Sequence, residues 1–215
     1  MNAQLLVLAK TPVPGRVKTR LCPPCTPEQA ARIAAASLAD TLDAGTAATI
    51  KRRCLVVEGD HPAPEGWHRV AQRGVSLGER LAHAFADTRV SGTGSLLIGM
   101  DTPQVDAGLL SAAARRLAED DADAVLGCAE DGGWWVLGLR DPAHGRALRH
   151  VPMSRSDTGA LTRAALADRG LRIVELPAQR DVDTSADASA VAKLCSPDSR
   201  FARTVAELIS PLEFA

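Results

Sequence analysis

The apolar residues of this chain fall into short runs, at 4–9, 53–57, 95–98, 124–128 and 134–139, each followed within about three residues by Gly, Pro or Asp and none long enough for a helix. Runs of that length between turn formers read as strands, and their near-continuous hydrophobicity marks strands buried on both faces. Weaker runs at 67–71 and 171–176 extend the set. Between them lie helical patterns. Thr26-Pro27-Glu28 supplies an N-cap, a proline at the first helical position and an early acid, and Ile33, Leu38 and Leu42 carry one face as far as Gly45. Ser76-Leu-Gly-Glu79 has the form of a capping box, followed by Leu81, Ala84 and Phe85. Further helices are expected over 109–117 and 157–168, and two short ones after residue 184. Strands alternating with helices predict an α/β fold with a mostly parallel sheet covered on both faces. A length of 215 residues suits one domain, 1–215, with room for a cleft.

Bulk properties narrow the partners. A formal net charge of -1 gives no global basic field for nucleic acid or an anionic membrane, so any anion site is local. No apolar run reaches bilayer length, and 5–9 is too short for a signal-peptide core, which together predict a cytoplasmic protein. Five cysteines, scattered, do not form a disulfide framework. Cys22-Pro-Pro-Cys25 has the CxxC spacing without a second pair for zinc or a helix starting at the first cysteine, and reads as loop thiols.

Ligands of open α/β sheets sit outside the carboxyl ends of the strands, so the loops after strands are the places to look. The first, Lys10-Thr-Pro-Val-Pro-Gly-Arg-Val-Lys-Thr-Arg20, lacks the glycine spacing of a Walker loop. Its Gly15 lets backbone amides approach an anion, and Arg16, Lys18 and Arg20 add charge at alternate positions. The bland alternative is a solvated basic loop. The second, Gly99-Met-Asp101-Thr-Pro103, ends a buried strand with one carboxylate, either a cation ligand or an Asx-turn before the proline. A partner acid is available in Asp181-Val-Asp183-Thr184, where Asp183 or Asp181 could complete a pair; Asp187 reads as a stabiliser of the next helix. The third, Glu130-Asp-Gly-Gly-Trp-Trp135, offers Asp131 as a base or an orienter of an acceptor hydroxyl. Trp134 and Trp135 must face opposite sides of a strand, so at most one lines the cleft, and core packing of both is the alternative. No GxSxG elbow surrounds Ser154 or Ser156, and the five histidines have no ligand spacing.

"AKTPVPGRVKTRL", "QRGVSLGERLAHAF", "GMDTP", "DGGWWVLGL" and "DVDTSAD", in this order, resemble the bacterial GT-A-type glycosyltransferase family of arsenosugar-biosynthesis type, formerly a domain of unknown function. The resemblance implies the nucleotide-diphospho-sugar transferase fold, a three-layer α/β/α sandwich with a mostly parallel mixed sheet. It implies that Gly15, Arg16, Lys18 and Arg20 wrap nucleotide phosphates, that Gln72, Leu77 and Gly78 meet the base, and that Asp101 and Asp183 hold Mg²⁺ or Mn²⁺. The family usually has Tyr where this chain has Trp134, and a Trp-Ser pair where it has Met153-Ser154, so the differences gather on the acceptor side.

The leading expectation is a metal-dependent transferase moving a sugar from a nucleotide-sugar to a small-molecule acceptor. Lys18 and Arg20 hold phosphate, Lys18 acting catalytically with Asp131, and Asp131, Gly132, Gly133, Trp134 and Ser154 meet the acceptor. The alternatives are a nucleotidyltransferase joining a nucleoside triphosphate to a phosphorylated small molecule, and a noncatalytic nucleotide-binding protein.

Overall fold

The structure, a computed structural model, describes residues 2–209. Seven strands form one sheet: β1 (Asn2–Lys10), β2 (Arg52–Glu58), β3 (His68–Ala71), β4 (Thr93–Gly99), β5 (Ala124–Ala129), β6 (Trp134–Leu139) and β7 (Ile173–Gln179). Their spatial order is β3-β2-β1-β4-β6-β5-β7, and every neighbouring pair is parallel except the two ladders made by β6. The fold is therefore the expected α/β type with a mixed sheet.

Burial on both faces of β1 explains why its sequence is apolar without alternation. Leu5 and Val7 enter one core with Leu38 and Leu42 of α1 (Pro27–Ala47) and Leu110 and Leu117 of α3 (Ala107–Ala118). Leu6 enters the other, with Leu81 and Phe85 of α2 (Leu77–Asp87) and Leu166 of α4 (Thr158–Ala167). Truncating a fully buried leucine such as Leu6 to alanine costs about 2–5 kcal/mol. A third cluster joins Ile33 of α1 to Val191 of α5 (Ser185–Ala192) and Phe201 of α6 (Arg200–Leu208). Helix starts follow their sequence signals: Thr26 with Gln29, Ser76 with Glu79 and Thr184 with Asp187 all form reciprocal capping boxes.

Two boundaries differ from expectation for steric or pairing reasons, and one element is additional. Gly45 does not end α1, which runs on to Ala47; a Cβ there would lie 2.7 Å from the Leu5 side chain, so this glycine makes room for packing. The last strand starts at Ile173, because the Leu171 amide still bonds back to Leu166 at the end of α4. Pro142–His150 forms a 3-10 segment packed on α2 that the sequence pattern does not announce.

Strand order decides where a ligand fits. From β1 the chain steps outward through β2 and β3, then crosses to β4 on the other side of β1. The turning point lies between β1 and β4, where the loops leaving their carboxyl ends diverge and leave a crevice.

Candidate active site

A cleft of about 890 Å³ opens at that edge, lined by the loops after β1, β4 and β7, the β5–β6 hairpin and the segment before α4. The opening loop turns at Gly15, with φ +73°, where the Arg16 amide donates to the Val13 carbonyl at 3.0 Å. Val17 and Leu21 are buried and pin the loop at both ends, which leaves Arg16, Lys18 and Arg20 along the cleft wall. Among the described residues only Lys18, at φ 48°, and Ser154, at φ 59°, are non-glycines with left-handed backbone, and both line this cleft. Strained conformations of this kind persist where the surroundings enforce them, commonly at functional sites.

Lys18 is held hard. Its side chain is 9% exposed, and its ammonium lies 2.6 Å from Asp101 Oδ1 while also donating to the Val182 carbonyl. The Val182 amide in turn donates to the Asp101 carbonyl at 2.9 Å, so the loops after β4 and β7 are joined by main chain as well as through the lysine. Arg20 donates to Asp183 at 2.9 Å but is 71% exposed. Two of the cations expected to meet phosphate are thus paired with the two acids expected to hold metal.

The acids group in a way the sequence left open. Asp131, Asp181 and Asp183 each offer a carboxylate oxygen within 4.8 Å of the others, and Asp101 stands apart from this trio with Lys18. Burial, and then the nearby Asp131 and Asp183 charges, push Asp181 up to about 6. An all-oxygen set of carboxylates suits a hard dication such as Mg²⁺ or Mn²⁺, whose charge would relieve that repulsion. The donor chemistry therefore fits the expected metal. Asp183 is common to the expected pair with Asp101 and to the trio that the structure forms.

Where an acceptor is expected, β5 bulges between Gly127 and Ala129 and returns through a tight hairpin. The Asp131 carboxylate accepts the Gly133 amide at 2.7 Å, which fixes it at the turn. Gly132 has φ +89°, and a Cβ on it would fall 1.9 Å from the Ser156 carbonyl oxygen; the Gly159 amide bonds to the Gly132 carbonyl at 2.8 Å. Glycine there docks the hairpin against the start of α4, and Gly133 rather than Gly132 lines the cleft. Trp134 lines the cleft with Ser154, whereas Trp135 is buried on the opposite face with its indole N–H on the Pro177 carbonyl at 3.0 Å.

On the opposite wall, Gln72 spends its amide N–H groups on the Ala9 and Val56 carbonyls, at 2.7 and 3.1 Å, and lies where β1 and β2 end. Leu77 lines the cleft, 43% exposed, beside Val75, 93% exposed. Gly78 does not line it: a Cβ there would come 2.4 Å from the Leu148 carbonyl, so it accommodates the 3-10 segment behind α2. Lys10, at the start of the basic loop, lines the cleft too, as do Arg80 and Arg155, which the sequence did not single out. Arg80 pairs with Glu58 and Arg155 with Asp157 at 2.9 Å. Arg80 was discoverable from its place in the first turn of a helix that starts at the ligand edge.

No functionally curated protein matches the chain. Among solved structures it is similar to a Desulfovibrio desulfuricans G20 protein provisionally named a nucleotide-diphospho-sugar transferase, with a TM-score of 0.82 and 26% identity over 96% of this chain and 95% of that one. Rv0371c of Mycobacterium tuberculosis H37Rv, in a complex with manganese, is 21% identical with a TM-score of 0.56, over 89% of this chain and 98% of that one. The 2-C-methyl-D-erythritol 4-phosphate cytidylyltransferase of Thermus thermophilus is 15% identical with a TM-score of 0.53, over 96% of this chain and 98% of that one. The last two share the fold alone. Residues 28–155 match the family described as an uncharacterized protein conserved in bacteria, DUF2064, and the chain belongs to that family.

Proposed function

We propose that the protein is a metal-dependent transferase acting on a nucleotide donor, and that it moves a sugar from a nucleotide-sugar to a small-molecule acceptor. The observation that carries this reading is the convergence, in one cleft at the strand-order turning point, of a basic loop after β1 with carboxylates from three other loops. A nucleotide diphosphate demands that combination. Arg16 and Arg20 bind phosphate oxygens, and Lys18 holds Asp101 and the loop after β7 in place. Asp183 holds the dication together with Asp131 and Asp181, whose carboxylate oxygens lie within 4.8 Å of its own, and Asp101 on the loop after β4 is the fourth acid of the cleft. A bound Mg²⁺ or Mn²⁺ would supply charge neutralisation at the departing diphosphate. Asp131 orients or deprotonates the acceptor hydroxyl, Trp134 and Ser154 border it, and the arsenosugar-type acceptor belongs to this part of the proposal.

A nucleotidyltransferase reading draws on a different observation: Lys10, Arg16, Lys18, Arg20, Arg80 and Arg155 all line the cleft, a cation supply suited to a triphosphate. Both readings predict metal-dependent thermal stabilisation by one nucleoside series, about 2.7 kcal/mol at a hundred times the dissociation constant. Nucleoside diphosphate released from a sugar donor selects the first reading, and pyrophosphate released from a triphosphate the second. Absence of any shift with di- or triphosphates, with Mn²⁺ or Mg²⁺, overturns both.

A further inference from the structure

We propose that Arg20 is a built-in counter-ion that competes with the dication for Asp183, so that one guanidinium is handed from carboxylate to phosphate as the site fills. This rests on the reading of Asp183 as a metal ligand. Among the described residues, Arg20 is the one basic side chain in an ion pair with the Asp131, Asp181 and Asp183 trio, at 2.9 Å from Asp183 Oδ2. The two neighbouring cation–acid pairs differ in a way that assigns them different parts. Lys18 has two acceptors and is 9% exposed, so its pair with Asp101 stays in place. Arg20 has a single carboxylate partner and is 71% exposed, so it swings free at little cost, as exposed pairs do.

When Asp183 turns its oxygen to a dication, Arg20 loses its partner and stands in the same cleft with donors unspent. When a phosphate takes Arg20, Asp183 is released for the cation. Each ligand thereby removes the obstacle to the other, and linkage makes the effect reciprocal. This contribution to coupling comes from the protein, separate from any direct contact between metal and nucleotide.

The test uses Mn²⁺ alone, without nucleotide, with free ion followed by electron paramagnetic resonance in titrations of the full chain. Arg20→Gln is expected to bind Mn²⁺ roughly two- to fivefold tighter than the unmodified protein, the range an exposed ion pair supports. Arg16→Gln removes the same charge from the same cleft but breaks no ion pair with a described residue, and is expected to stay close to the unmodified affinity. High salt is expected to shrink the Arg20→Gln difference. Equal affinity in Arg20→Gln and the unmodified protein overturns the competition while leaving the metal site standing. An equal gain in Arg16→Gln also overturns it, reducing the effect to the general field of the cleft. If the unmodified protein, Arg20→Gln and Arg16→Gln all fail to bind Mn²⁺, the metal reading of Asp183 falls, and this proposal with it.

Discussion

Two arginine–aspartate pairs at opposite ends of the sheet show how one chemical unit serves different ends. Where β5 and β7 begin, Asp123 receives the Arg172 guanidinium at 2.8 and 3.0 Å and the Arg172 amide at 3.0 Å. Those bonds hold its carboxyl near 2, the Arg172 side chain contributing most. At the other end, Arg20 reaches Asp183 by one bond, and the acid beside it, Asp181, is pushed up by burial and by its neighbours' charges. A saturated pair fastens two strands and has nothing left to offer. An unsaturated pair beside crowded acids has capacity for a ligand.

Changes at the cleft should show the contrast most sharply. Asp183→Asn is expected to cut turnover at least about a hundredfold, because the proposed dication that would neutralise the departing diphosphate loses a ligand, with the melting temperature nearly unchanged. Retained turnover in a donor-saturated assay would remove Asp183 from the chemistry. Gly132→Ala comes next, and damages the fold instead: the φ of +89° and the Ser156 carbonyl leave no room for a methyl group, so urea unfolding should reveal a loss of about 3 kcal/mol or more. Lys18→Met should lower stability by about 1–3 kcal/mol, since the Val182 carbonyl loses its lysine donor and Asp101 its counter-charge, and should lower turnover as well. A change in turnover without any loss of stability would make Lys18 a substrate ligand alone.

The smallest effect belongs to the far end. Asp123→Asn should cost under about 1 kcal/mol at neutral pH, because its partner is largely exposed. The sign is fixed by the depressed carboxyl. The contribution is complete above the ordinary aspartate range near 3.8 and is lost as the pH falls through about 2, so the two proteins should converge in stability in strong acid. Divergence there would show that Arg172 does not govern this carboxyl.

The fold was legible because its signals are local: a strand run, a capping box or a proline at a helix start can be read within a few residues. Location of the cleft was legible too, since loops after buried strands must gather at one edge. Partnerships were not. Nothing near Lys18 announces that its ammonium turns inward to Asp101 and Val182, and the choice between Asp181 and Asp183 depends on how the chain leaves β7. The resemblance puts Gly78 in the turn that meets the base, whereas its missing Cβ makes room for the Leu148 carbonyl, a neighbour far along the chain that nothing local reveals. Arg80 acquires its place only from Glu58 on β2 and the cleft wall, neither of which lies near it in sequence.

The contact between Arg20 and Asp183 spans 163 residues of sequence. A ribosome finishes the basic loop early and its acidic counterpart late, so during most of synthesis the nascent chain carries the basic loop with no carboxylate from the loop after β7 to pair with Arg20. A polypeptide stalled before Asp181 already contains the residues of β1, β2 and β4, with Lys18 and Arg20 bare of their late partners. Translation arrest and point substitution are therefore different injuries: the first leaves Arg20 without the carboxylate it pairs with, and the second leaves a complete site with one part changed.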